Sequence, residues 1–184
     1  MSMKEVNETS GEIWDLYDKD HKLTGKTHKR GEPLEDGEYH LVVHVCIFNR
    51  KGEMLIQQRQ PFKEGYSNMW DITVGGSAVS GETSQLAAER EVFEEIGYKL
   101  SLEGERPKLT IHFENGFNDI YVVNREVNLS ELKLQYEEVQ AVKWASKEDI
   151  YSMMEEGVFV PYHESLIELL FVLRNQRGGI RRSV

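Results

Sequence analysis

The chain has few of the features that would tie it to an oxidising compartment, a nucleic acid or a membrane. Its 184 residues include one cysteine, Cys46, which excludes a disulfide within the chain. Cys46 lies in an apolar run that predicts a buried thiol on a strand. Lysines and arginines number 22 against 32 acidic residues, so the net charge of −10 argues against a stable nucleic acid complex. An acidic protein that binds phosphorylated substrates would need cations at its site.

No apolar run reaches the length of a membrane span, and the N-terminal residues lack the apolar core of a signal peptide. We therefore expect a cytoplasmic protein with no membrane partner. The length suits one domain with a sizeable core. We predict a disordered N-terminus at residues 1–10, a single domain at 11–177 and a loose tail at 178–184.

Hydrophobic patterning predicts seven strands and three helices, an order that indicates an α/β fold with a mixed sheet between helices. Residues 23–38 are polar and interrupted by glycine and proline, which predicts a loop. Ser146 begins a capping box that opens the second helix, and the third helix covers 164–174. The predicted strands are 13–17, 40–48, 54–58, 70–74, 109–113, 120–127 and 139–144.

The most informative segment begins at Gly76 and reads GSAVSGETSQLAAEREVFEEIGY. A strand ends at Gly75-Gly76, and residues 81–83 open a helix that Gly97 closes as a helix-terminating glycine. The helix is expected to bury an apolar face. The residues of that predicted face are Leu86, Ala88, Val92, Phe93 and Ile96.

Three glutamates of this helix, Glu91, Glu94 and Glu95, fall within an arc of about 100°. Like charges at this spacing destabilise a helix unless a cation lies beside them. Arg90 can hold the Glu94 carboxylate at the i,i+4 spacing. Mg²⁺ takes oxygen ligands and is usually held by a few carboxylates together with substrate phosphates. The pattern therefore indicates a divalent cation site at this helix edge.

The segment resembles the Nudix box, whose pattern is glycine, five residues, glutamate, seven residues, Arg-Glu, an apolar residue, any residue, Glu-Glu, any residue, glycine and an apolar residue. Tyr98 is the one departure, because an aliphatic residue is usual there. The matching positions are Gly76, Glu82, Arg90, Glu91, Val92, Glu94, Glu95 and Gly97. The resemblance implies a Nudix-type α/β/α sandwich with a mixed sheet and a catalytic loop–helix–loop.

The resemblance further implies a Mg²⁺- or Mn²⁺-dependent pyrophosphohydrolase that cleaves a nucleoside diphosphate linked to another moiety. Metal-activated water would attack phosphorus. Gly75 and Gly76 would leave room for phosphate oxygens, and Arg90 would orient the metal ligands. The general base is left open among Glu91, Glu138, Glu137 and Asp119, with Glu91 placed first and Glu138 second. The implied metal ligands are Glu91, Glu94, Glu95 and Glu82.

Residues 10–160 also resemble the isopentenyl-diphosphate isomerase-like branch of this superfamily. The catalytic cysteine of the isomerases corresponds to Gly75, and one of their metal-binding histidines corresponds to Ser77. Isomerisation is therefore disfavoured, and it stays an alternative beside a non-catalytic nucleotide-sensing module. We interpret His40 and His44 as structural.

Substrate choice in this superfamily depends on loops outside the box. The best candidate loop here carries Phe62, Lys63 and Tyr66, whose aromatic rings could stack on a base. Nucleoside diphosphates, nucleotide sugars, dinucleotides and prenyl diphosphates all stay open as small-molecule partners. A homodimer is plausible for the family, although no feature of this sequence requires one.

Overall fold

The computed structural model describes residues 11–176 and 178–180. The predicted disorder of residues 1–10 falls outside the described residues, as do residues 177 and 181–184. Within the described part, the chain forms nine strands and three α-helices, and six of the strands precede the first helix. Their bounds are β1 Ile13–Tyr17, β2 Leu23–Lys29, β3 His40–Phe48, β4 Met54–Arg59, β5 Trp70–Asp71, β6 Val74–Ser77, α1 Ser84–Ile96, β7 Leu109–Phe113, β8 Gly116–Asn124, β9 Val139–Ala145, α2 Lys147–Glu155 and α3 Glu164–Leu173.

The main sheet is mixed, as the sequence predicted. Its strand order is β5-β4-β3-β8-β7, with β6 added to β3 and β9 added to β4. Strands β3 and β8 are parallel over nine paired residues, whereas β6 runs antiparallel to β3. The central strand β3 therefore places β6, and with it the start of the glutamate-rich segment, beside the middle of the sheet.

Two apolar cores cover the two faces of this sheet, because side chains alternate along each strand. Val43, Val45 and Ile47 of β3 face α1 and pack with its residues Ala88 and Val92. Cys46 and Phe48 face the other way and pack with residues of α2 and α3. The result is the predicted α/β/α sandwich, and the predicted burial of the Cys46 thiol is confirmed.

Three strand predictions were wrong in detail. Residues 23–29 form β2, which pairs antiparallel with β1 and is mostly exposed, so its polar sequence gave no apolar signal. The predicted strand 70–74 is divided into β5 and β6. Strand β8 begins at Gly116 rather than at residue 120, because its first residues pair with both β3 and β7.

Helix α1 has the ends that the sequence predicted. The Thr83 hydroxyl accepts a hydrogen bond from the Leu86 amide, and Gly97 closes the helix with φ of 69°. Its predicted buried face was partly wrong. Leu86 and Phe93 are 53% and 51% exposed. Glu95 is buried instead, so this helix turns a carboxylate towards the sheet.

None of the helices in the described residues is both long enough and apolar enough to cross a bilayer.

Candidate active site

The site includes two glycines of β6, the strand that pairs with β3 and packs against helix α1. Gly76 pairs with Val43, and Gly75 pairs with His44. A Cβ atom on Gly76 would lie 2.2 Å from Cδ of Glu91, and one on Gly75 would lie 2.4 Å from Cδ2 of His44. Each glycine therefore lets a polar side chain approach the backbone. Their predicted phosphate-binding role stays a prediction.

Arg90 organises the carboxylates on the exposed side of α1. Its guanidinium donates to Glu82 at 2.6 and 2.9 Å, to Glu91 at 2.9 Å and to Glu94 at 3.0 Å. The predicted contact between Arg90 and Glu94 is therefore present. The hydrogen bond to Glu82 is the main cause of a raised pKa for Arg90, which stays charged. Although burial alone would raise the pKa of Glu82, hydrogen bonds from Arg90 and from the Val79 amide lower it.

Glu95 has a different environment, because it points into the protein. Its carboxylate is 6% exposed and accepts a hydrogen bond of 2.9 Å from the neutral amide of Gln57. Burial, followed by the negative charge of Glu91, raises the pKa of Glu95 well above its usual value. Burial also raises the pKa of Glu91, although Arg90 opposes that shift. Burial thus disfavours the charged form of both neighbouring carboxylates, Glu91 and Glu95.

A divalent cation would relieve that charge, since buried carboxylates are stable when they are paired or bind a metal. The donor set of Glu91 and Glu95 therefore fits a metal ion. The other predicted ligands, Glu82 and Glu94, are paired with Arg90, as is one oxygen of Glu91. Across residues 11–176 and 178–180, no three acidic, histidine or cysteine side chains converge closely enough to form a metal site. The four predicted ligands thus do not form one preorganised cluster.

Gln135 links the predicted base Glu138 to Glu95: the Gln135 amide donates to the Glu95 carbonyl oxygen at 2.9 Å, and the Gln135 carbonyl oxygen accepts from the Glu138 amide at 3.0 Å. The charge of Glu138 contributes to the raised pKa of Glu95. Lys63 contacts the Glu138 carboxylate at 2.5 Å. Phe62 and Tyr66, from the same loop as Lys63, are more than half exposed, and the ring of Phe62 lies 5.7 Å from that of Tyr136. The structure therefore places Lys63 beside the Glu138 carboxylate, while the two aromatic rings are largely exposed.

The two histidines of β3 make contacts that fit a structural role. His40 stacks on Trp14 with the ring centres 4.3 Å apart, and its Nδ1 lies 2.9 Å from the Asn115 carbonyl oxygen. Nδ1 of His44 lies 2.9 Å from Oδ1 of Asn118. Burial lowers the pKa of His40, so this ring is neutral at neutral pH.

Sequence reasoning missed a buried acid next to the site. Asp71 is 9% exposed and accepts a hydrogen bond of 2.8 Å from the Tyr162 hydroxyl. Burial raises the pKa of Asp71, although His44, Tyr162 and Arg59 oppose the shift. A polar residue inside an apolar strand was the available signal, both for Asp71 and for Gln57. Their partners lie 91 and 38 residues away in sequence, which no local pattern shows.

Comparison with known proteins assigns this geometry to a family. A sequence model of the NUDIX domain matches residues 38–169. The chain is 51% identical over 164 residues to an uncharacterized Nudix hydrolase of Listeria monocytogenes, covering 89% of this chain and 96% of that one. It is 34% identical over 87 residues to an isopentenyl-diphosphate Delta-isomerase of Pectobacterium atrosepticum, covering 47% of this chain and 48% of that one.

Solved structures show the same fold. The crystal structure of DR0079 from Deinococcus radiodurans aligns with a TM-score of 0.68 at 22% identity. The alignment covers 86% of this chain and 97% of that one. The loop, helix α1 and the sheet described above are therefore parts of a recurrent architecture.

Proposed function

Since the chain belongs to the Nudix family and is a hydrolase of diphosphate bonds, we propose that it is a Mg²⁺- or Mn²⁺-dependent pyrophosphohydrolase whose metal is held by Glu91 and Glu95. The observation that carries the proposal is the Glu95 carboxylate, which is buried, receives its hydrogen bond from the neutral Gln57 amide within the described residues, and lies one helical turn from Glu91. Hydrophobic packing would favour an apolar residue there. A carboxylate at that place is explained by a cation that it binds.

The remaining residues position this pair. Arg90 fixes one oxygen of Glu91 at 2.9 Å and leaves the second oxygen for another ligand. Gln57 orients Glu95 from strand β4. Gly76 allows the Glu91 carboxylate to lie against the backbone of β6. A bound divalent cation would neutralise the diphosphate and lower the pKa of a coordinated water.

Glu138 is the candidate to accept the proton of the attacking water, with Glu91 as the alternative. The Lys63 ammonium contacts Glu138 in the present arrangement. That ammonium could also bind a phosphate oxygen, which would release Glu138 as substrate enters.

The group attached to the diphosphate is proposed to be a nucleoside, and nucleotide sugars, dinucleotides and prenyl diphosphates stay open beside nucleoside diphosphates. The test is product formation from a panel of nucleoside diphosphates and triphosphates, nucleotide sugars, dinucleotides and isopentenyl diphosphate, with Mg²⁺, with Mn²⁺ and with a chelator. We expect metal-dependent release of a monophosphate. Conversion of isopentenyl diphosphate to its isomer would instead support the isomerase alternative, although Gly75 offers no side chain for proton transfer.

The matched variants are Glu95→Gln and Glu89→Gln, which make the same change on the same helix. We expect Glu95→Gln to reduce kcat by about 10³-fold, because loss of one charged group at a reacting centre is worth about 3–4 kcal/mol. Glu89 accepts a hydrogen bond from the Leu102 amide, which a glutamine oxygen can also accept. Unchanged activity in Glu95→Gln would refute the metal assignment. Metal-dependent nucleotide binding without turnover would favour a sensing module.

A further inference from the structure

A pocket at one end of the main sheet is lined chiefly by arginine and asparagine side chains. It lies beyond Phe48 and Asn124, the last residues of the parallel strands β3 and β8, which pair with each other. Its volume is about 510 Å³, which falls in the range of small-molecule sites. Open α/β sheets commonly bind ligands beyond the carboxyl ends of their parallel strands. The charged residues of the lining are Arg50, Arg125, Arg174 and Glu126.

This pocket is separate from the proposed metal site. Val43 is the residue of β3 that pairs with Gly76, beside Glu91. Phe48 lies five residues further along β3, a distance of about 16 Å at about 3.3 Å per residue. In the described part of the chain, the lining of the pocket includes none of the carboxylates assigned to the cation. A ligand in this pocket would therefore occupy a second site.

The guanidinium of Arg174 is held in place by neutral groups. Gly52 makes room for it, because a Cβ atom at that position would overlap Nη1 of Arg174. The guanidinium carbon lies 6.0 Å from the centre of the Phe48 ring, at the outer limit of a cation–π contact. These contacts position the guanidinium and leave its charge in place.

Arg125 is also fixed by neutral groups. Its Nη1 donates to the Asn124 carbonyl oxygen at 2.8 Å, and its Nη2 donates to the Ser101 carbonyl oxygen at 3.2 Å. Two of the five N–H donors of a guanidinium are thus used, and three are left for another acceptor. Backbone carbonyl groups orient Arg125 but do not neutralise it.

Neither arginine has a carboxylate in direct contact within residues 11–176 and 178–180. The arginines that form ion pairs there are Arg30, Arg50, Arg59 and Arg90. Glu126 belongs to Arg50, whose amide donates to it at 2.7 Å and whose Nε lies 3.8 Å away. Three guanidiniums and one carboxylate therefore give the lining a net charge of +2, and Arg125 and Arg174 supply it.

This charge selects the class of ligand. The whole chain has a net charge of −10, so a pocket of the opposite sign concentrates anions locally. Guanidinium groups match the geometry of carboxylate and phosphate oxygens. A phosphate monoester carries a charge of about −1.5 to −2 at pH 7 and three acceptor oxygens, whereas a carboxylate carries only one charge. The two arginines therefore favour a phosphoryl group.

We propose that Arg125 and Arg174 bind the phosphoryl group of a small molecule in this pocket, at a site distinct from the metal site. Free phosphate and a phosphate monoester share the dianionic group that the lining matches. The site does not depend on the proposed hydrolysis, because its arginines lie apart from the cation ligands.

Calorimetry of the full chain tests the site, in buffer freed of divalent cations by a chelating resin. Without a cation, the carboxylates of the metal site repel anions. The probes are inorganic phosphate, AMP and acetate. We expect one phosphate or one AMP to bind per chain, and acetate to bind about tenfold more weakly because it carries less charge.

Tighter binding of AMP than of phosphate identifies a monoester as the ligand, whereas equal or tighter binding of phosphate identifies the free ion. Absence of binding for both probes would overturn the proposal. Acetate binding as tight as that of phosphate would overturn the phosphoryl assignment.

Arg125→Gln and Arg106→Gln remove the same charge at two positions. Arg106 is exposed and lies outside the lining, so it is the matched control. We expect Arg125→Gln to weaken phosphate binding by about tenfold or more, since hydrogen bonds to a charged group are lost. Arg106→Gln should change it by less than about twofold. Equal losses in the two variants would show a general effect of net charge and would overturn the site.

Glu126→Gln should have the opposite effect, because the glutamine oxygen can still accept from the Arg50 amide while the negative charge is lost. We expect phosphate to bind about threefold more tightly. Glu103→Gln, at an exposed position outside the lining, is the control. Weaker binding in Glu126→Gln would overturn the site. Glu95→Gln should leave phosphate binding unchanged in this buffer, and a changed affinity there would instead assign the phosphate to the metal site.

Discussion

Gly75 and Gly76 are adjacent, yet the space beside each belongs to a different kind of surface. Beside Gly76 lie carboxylates and the Arg90 guanidinium, which are partly exposed and joined by hydrogen bonds. Beside Gly75 lies the His44 ring, behind which an apolar cavity and the buried pair of Asp71 and Tyr162 follow. The alternation of a β-strand directs neighbouring residues to opposite faces, so one dipeptide can separate charge from hydrocarbon.

This difference separates the proposed chemistry from the support of the fold. The charged side suits phosphates and a cation, whose interactions are electrostatic and directional. The apolar side lies across the sheet from these carboxylates, and its burial stabilises the fold. Substitutions on the two sides should therefore affect activity and stability to different degrees, and they can be arranged from the largest expected effect to the smallest.

After Glu95→Gln, the largest loss of activity should come from alanine at Gly76. In Gly76→Ala the new Cβ would displace the Glu91 carboxylate, and we expect kcat to fall about a hundredfold. In Gly75→Ala the new Cβ would instead displace the ring of His44 on the other face of the sheet, so kcat should fall less. Steady-state kinetics of both variants checks this, and equal losses of kcat would contradict the separation of the two sides.

Tyr162→Phe tests the buried pair on the apolar side. Removal of the hydroxyl takes away one hydrogen bond of 2.8 Å to the Asp71 carboxyl, which is 9% exposed and still accepts a hydrogen bond from the Ile72 amide. Loss of a hydrogen bond to a buried acid destabilises a protein by about 1–3 kcal/mol. Urea unfolding followed by circular dichroism measures the change. Tyr151→Phe is the control, because the hydroxyl of Tyr151 contacts the exposed Glu168; an equal effect in both variants would show that the buried pair has no special weight.

Asp71→Asn should change the pH dependence of stability. Burial raises the pKa of Asp71 in the folded state, so the folded protein holds this proton more tightly than the unfolded chain does. Stability should therefore fall as pH rises above about 4, by up to about 1.4 kcal/mol per pH unit, until the folded pKa is passed.

Asparagine removes this charge and can still accept the hydrogen bond from Tyr162. We expect the free energy of unfolding of Asp71→Asn to depend less on pH than that of the wild type, with the variant gaining relative stability towards pH 8. Urea titrations between pH 5 and pH 8 provide the measurement. Parallel curves for the two proteins would show that Asp71 does not titrate in this range.

The features that local sequence could predict were those set by local chemistry. Helix α1 ends at Gly97, whose left-handed backbone conformation favours glycine. Helix α2 begins with the capping box that Ser146 forms with Asp149, three residues later. Both features are present as predicted. The box glutamates follow from fixed spacing. The burial of Glu95 could not be predicted in this way, because it depends on where strand β4 places Gln57.

Helix periodicity was misleading for the same reason. Phe93 is apolar and Glu95 is charged, so a hydrophobic rule buries the first and exposes the second, whereas the fold does the reverse. Such inversions are expected at functional sites, where a residue is needed for its chemistry although its hydrophobicity does not match its burial. The cavity on the α3 face likewise depends on residues from distant strands and a helix, and no single segment contains its pattern.

Phe62→Ala should have the smallest effect and tests whether the exposed loop takes part in substrate choice. Phe62 is 58% exposed and contacts the exposed Tyr136, so we expect the free energy of unfolding to change by less than about 0.5 kcal/mol. If the substrate carries a base that stacks on this ring, KM should rise about tenfold, since one stacked base is worth about 1–3 kcal/mol. If no base stacks on this ring, KM should stay unchanged. Phe62→Ala therefore tests the loop's part in substrate choice separately from the metal site, because the substitution leaves every carboxylate of that site in place.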